Sequence, residues 1–195
     1  MRRVIFLLLL TGVFLSPGFT RGAELSEVKH RLEIDATAGK PIYVHVVVAL
    51  CDNEHQGIVP VNKSLGNGQN PRTNLYWGAA FGFETYLKKH GGYSLITHQK
   101  APVDKVLKVV QFRKELDVAG KKRTVEVTGE AWDGRYMKDA IMRYLKLSAG
   151  WPVGYAGILE KNYSAPHLVV FIGHNGLMDF QLTQKPKPNS KSPAR

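Results

Sequence analysis

The chain has one cysteine in 195 residues, so no disulfide can form within it and a disulfide-stapled mini-protein is excluded. Acidic residues are scarce, 16 against 27 basic, giving a formal charge of +11. The longest apolar run, from Val4 to Leu15, is too short to span a bilayer, which takes about 18 residues or more. No Gly-Lys-Ser/Thr opens a helix, no His-Glu-x-x-His pair occurs, and no segment repeats. Nucleotide-loop and zincin chemistries therefore have no motif to stand on. With 44% hydrophobic and 10% aromatic residues, the chain has the material for one domain with a packed core.

The charge excess lies mostly at the two ends. Residues 1–23 carry Arg2, Arg3 and Arg21, and Lys185 onward carries Lys185, Lys187, Lys191 and Arg195, with no acid in either segment. The body between them has a net charge of only +4, which gives no reason to expect nucleic acid as a partner. Arg2-Arg3, the apolar run and Ser16-Pro17-Gly18 follow the order of a secretory signal peptide. Small residues place cleavage after Gly18 or after Gly22, and an uncleaved segment would serve as a membrane anchor. The expected location is thus periplasmic or extracellular. The expected organisation is a signal segment over 1–23, an α/β domain over 24–183 and a disordered basic tail over 184–195. Asn62-Lys63-Ser64 and Asn162-Tyr163-Ser164 match the glycosylation acceptor pattern.

Within the body, residues 41–50 form a nearly continuous β-branched run, as in a strand covered on both faces. Leu75, Ala79, Phe83 and Leu87 recur at helical spacing and predict a helix over about 74–89, after a long polar loop. Val106–Phe112 and Arg123–Thr128 read as strands joined by a turn at 119–122. Asp133 can cap a second helix with the stripe Met137, Ala140, Ile141, Tyr144 and Leu145, and residues 167–172 read as another buried strand. This alternation predicts an α/β fold: a single open, mostly parallel sheet with helices on both faces and a β-hairpin.

In such sheets ligands collect at the carboxyl ends of the strands. Two segments fall there, Cys51-Asp52-Asn53-Glu54-His55 and Gly173-His174-Asn175-Gly176. His174 is the candidate base, since an imidazole titrates near neutral pH. Cys51 is either a core residue or a nucleophile, because a thiol needs a nearby base or positive field to ionise. Cys51, His55 and His174 could alternatively supply three zinc ligands. No other cofactor is implied.

The order strand, helix, strands, helix, then an apolar strand ending in Gly-His-Asn-Gly resembles the caspase-like fold of caspases, legumains and gingipains. The resemblance covers roughly residues 40–180 and rests on a motif of a few residues. It implies that His174 assists a cysteine nucleophile in peptide hydrolysis, with the N–H of Asn175 or Gly176 as the oxyanion donor. In that family the nucleophile follows the next strand, and no strand pattern follows Phe180 here. The expected function is a cysteine-hydrolase-type domain centred on His174, acting on a peptide or protein. The alternative is a non-catalytic binding domain on the same fold. Oligomeric state is not legible.

Overall fold

A computed structural model describes residues 21–118, 120–151 and 166–189. Its organising element is the run predicted as a two-faced strand, β1 (Ile42–Ala49). Alternation along it sends Val46, Val48 and Leu50 to one side and Val47 and Ala49 to the other, all of them buried. A strand apolar on both sides is stable only when both faces and both edges are covered. Its edges are taken by β4 (Lys121–Trp132) and β5 (Leu168–Ile172), each paired parallel to it. Beyond β4 lie β3 (Val106–Val118) and then β2 (Ser94–Val103), each antiparallel to its neighbour, giving the sheet order β2-β3-β4-β1-β5. Only β3 runs against the others.

Each face carries its own cluster. On one, α3 (Met137–Ser148) packs Met137, Ala140, Ile141 and Leu147 against Val47, Ala49, Val109 and Trp132. On the other, Trp77 and the short α2 (Phe83–Lys89) cover Val46, Val48, Val110 and Phe112. The protein is therefore an α/β fold with a single open sheet and helices on both faces. Among the described residues no helix is long and apolar enough to cross a membrane.

The expected helix over 74–89 is corrected to Phe83–Lys89. Residues before it form turns, for which Gly78 and Gly82 are required. A Cβ on Gly78 would lie 2.1 Å from the Arg72 carbonyl oxygen, and one on Gly82 2.5 Å from the Trp77 backbone. The apolar spacing is thus met by a folded loop that still delivers Trp77 to the core. The hairpin strands run further than their apolar stretches, and Gly120 takes φ +74° in the turn between them. Two elements had no sequence expectation: β2, a polar edge strand, and α1 (Arg21–Thr37). The His167 side chain, 4% exposed, ties α1 to the sheet, with Nδ1 accepting the Tyr43 N–H at 3.0 Å and Nε2 bonded to Asp35 at 3.0 Å.

The second helix begins as expected at Asp133, whose carboxylate accepts the Arg135 N–H and opens a 3₁₀ turn leading into α3. Residues 184–189, expected to be disordered from composition, run past the end of α3. There the Asn189 N–H bonds the Ala149 carbonyl at 2.8 Å, and Trp151 Nε1 bonds the Lys187 carbonyl at 2.8 Å. The apolar run of the signal segment, Asn162 and residues 190–195 lie outside the described residues.

Close packing between α2 and the sheet makes one position especially sensitive. Gly129 of β4 faces the ring of Phe83, and a Cβ there would sit 2.1 Å from Phe83 Cε1. That ring is itself held between Trp77 and Phe112, at centroid separations of 5.2 and 6.3 Å. Gly129→Ala is expected to cost about 1–3 kcal/mol, the usual range for overpacking, measured by urea denaturation. Phe83→Leu in the same chain should recover part of the loss; an unchanged midpoint in the single variant would show that the ring can move aside.

Candidate active site

The carboxyl ends of the three parallel strands carry Cys51 and Asp52 after β1, Asp133 after β4 and His174 after β5. Asp52 is 1% exposed and organises the loop that follows. Its Oδ1 accepts the backbone N–H groups of Glu54 at 2.9 Å and His55 at 3.2 Å, and His55 Nδ1 lies 3.1 Å away. Gln69 Nε2 donates to Asp52 Oδ2 at 2.7 Å and to Asp133 Oδ1 at 3.0 Å, spanning the two strand ends. Gln56 does the same for the backbone, donating to the carbonyls of Leu50 at 2.8 Å and Gly134 at 3.0 Å. Burial alone would raise both carboxyl pKa values. Donors outweigh it, chiefly Gln69 at Asp52 and Arg135 at Asp133, and both acids are held below the ordinary range.

Cys51 is 1% exposed. Asn74 holds its backbone as a neighbouring strand would, accepting the Cys51 N–H at 3.1 Å and donating to its carbonyl at 2.8 Å. Burial pushes the thiol pKa up and the Asp52 carboxylate pushes it further. At neutral pH this is a protonated core thiol, the opposite of an activated nucleophile.

His174 sits at the mouth of the other arm. Its Nε2 bonds Asp179 Oδ2 at 2.8 Å, and the same oxygen accepts the Gly57 N–H at 3.3 Å. The first loop and the last are thereby joined through Asp179. Gly176 starts a 3₁₀ turn and donates its N–H to the His174 carbonyl at 2.9 Å. Of the two candidate oxyanion donors, Asn175 N–H is the one this turn leaves unused among the described residues. Beside the imidazole a cavity of about 380 Å³ is walled by Phe171, Tyr144, Ile141 and Leu182.

His174 and His55 each have a carboxylate partner, Asp179 and Asp52. Among the described residues no three His, Cys, Asp or Glu side chains converge as a metal ion would require, so Cys51, His55 and His174 do not form a ligand set. Sequence reasoning placed His174 at a strand end but missed Asp179, Gln69 and Asn74. A usable signal was present in Asp52 and Asp133: each acid closes an apolar strand, and parallel pairing of those strands sets the two ends side by side. Comparison with protein-family models, curated proteins and solved structures finds no match to this chain.

Proposed function

We propose that this chain is an exported, caspase-like α/β domain that binds a peptide or protein at the His174 end of its sheet and performs no hydrolysis by itself. The observation that carries this reading is the state of Cys51: it is the only thiol in the sequence, and it is buried, protonated and pinned by Asn74. A cysteine hydrolase needs a thiolate within reach of a base. The His174–Asp179 pair, with its adjoining cavity, supplies a polar anchor beside an apolar pocket, the usual composition of a recognition site. Export is supported by the basic, apolar and breaker order of residues 2–18.

The test is thiol labelling followed by mass spectrometry. Native protein should resist iodoacetamide at Cys51, and denatured protein should label fully. One specific observation favours a second reading, a hydrolase: a carboxylate orients His174, as it would orient a general base. Fast native labelling that His174→Ala abolishes without altering circular dichroism would establish that second reading and reject the first.

A further inference from the structure

A cleft of about 630 Å³ opens between the 69–72 loop, α2 and the β2–β3 ladder. Four cations from four segments line it: Arg72 of the loop, Lys88 of α2, Lys100 of β2 and Lys108 of β3. The one carboxylate there, Glu84, is largely buried and fully engaged. It accepts Trp77 Nε1 at 2.6 Å and Lys108 Nζ at 2.7 Å, and it also pairs with Lys88. Glu84 thus fixes two ammonium groups on the cleft wall and neutralises only one charge. The Arg72 backbone N–H bonds Asn70 Oδ1 at 3.2 Å, whereas the Arg72 guanidinium and the Lys100 ammonium have no hydrogen-bond or ion-pair partner among the described residues.

The sheet register adds an independent sign. Lys100 and Lys108 are direct cross-strand partners, on the same face of an antiparallel pair. Like charges in that position oppose folding. Beside Lys100 the β2 ladder also slips register, between Lys100 and Val103, an irregularity of the kind that re-aims side chains toward a site. Cations set side by side against this repulsion, around an open cleft, have the chemistry of an anion receptor. Within the cleft lining four cations thus stand against a single carboxylate.

We propose that this cleft binds a small ligand carrying a diphosphate-type group, with Arg72 and Lys100 as the principal contacts and Lys88 and Lys108 held in place by Glu84. The volume suits a small molecule, and an anion of two or more charges matches the excess of cations over carboxylates. The site is separate from His174, and its test is independent of that reading.

Isothermal titration of the full chain with pyrophosphate at low ionic strength should give saturable one-site binding that weakens as sodium chloride is added. Inorganic phosphate should bind more weakly. The double variant Arg72→Ala/Lys100→Ala, at two exposed positions, should lose at least tenfold in affinity, while Lys121→Ala at the distant hairpin tip should lose nothing. Lys100→Ala without ligand should melt no lower than the parent, since it removes a repulsion. Absence of saturable binding, or an equal loss in Lys121→Ala, would overturn the proposal. So would binding of polyglutamate that pyrophosphate does not displace, which would mark an acidic-peptide surface.

Discussion

Replacing Glu130 with alanine is expected to destabilise the protein by about 3–5 kcal/mol, the cost of breaking a buried ion pair from one side. Glu130 of β4 is completely buried. It receives Arg143 Nε at 3.1 Å and Trp132 Nε1 at 2.9 Å, and it pairs with His45 of β1. Arg143 belongs to α3, so this one carboxylate joins two adjacent parallel strands to the helix that covers them. Without it, a guanidinium, an imidazole and an indole N–H are left together in the core. Urea denaturation of the variant reads the loss directly; a change under about 1 kcal/mol would show that water or rearrangement replaces the carboxylate.

The same residue sets an acid limit. Burial favours the neutral acid, but His45 and Arg143 outweigh it and lower the pKa from 4.5 to about 2. A carboxyl depressed on folding stabilises the folded state above its unfolded pKa and ceases to do so as pH falls through the folded one. The contribution, about 3 kcal/mol for a shift of this size, should therefore be complete at neutral pH and disappear between 4.5 and about 2. The stability gap between the parent and Glu130→Gln should narrow over that window. A gap independent of pH there would mean that charge at this position contributes nothing.

Asn74→Ala is the second large effect. Its buried amide makes four hydrogen bonds: two with the backbone of Cys51, one with the Asn67 carbonyl at 3.1 Å and one with the Tyr76 N–H at 3.1 Å. Alanine leaves the Cys51 N–H and carbonyl buried without partners, at about 1–3 kcal/mol for each group. The expected loss is about 3 kcal/mol or more, concentrated where β1 runs into the site loop. Hydrogen exchange at Cys51 and Asp52 should quicken before global unfolding, and Cys51 should become open to iodoacetamide in the native state. A variant that loses stability while those amides stay protected would place the cost elsewhere.

Both positions show what could be read from the chain and what could not. The core strands were legible because β-branched runs such as Val46-Val47-Val48 suit only a strand buried on both faces. The α3 stripe from Met137 to Leu145 was legible because its spacing has no competing explanation. Leu75, Ala79, Phe83 and Leu87 had one: turns that need Gly78 and Gly82 can bring Trp77, Phe83 and Leu87 to the core without a long helix, and local spacing does not distinguish the two. β2 was silent because an edge strand with Thr97, His98, Gln99 and Lys100 has little apolar alternation. His174 was found from its place after a strand. Its partner Asp179, the Gln69 bridge and the Asn74 clamp depend on contacts across the fold, which spacing along the chain does not encode.

The central place of β1 also governs the order of assembly. The β2-β3-β4 meander is built from neighbours in sequence and can close early. The first strand must wait: His45 and Glu130 are separated by 85 positions and Tyr43 and His167 by 124. Closing such large loops costs chain entropy before any contact repays it, which places folds of this kind toward the slow end of the rate spectrum. A polypeptide synthesised N-terminus first would then emerge with its central strand still unpaired, and would stay pliable until the last strand followed it.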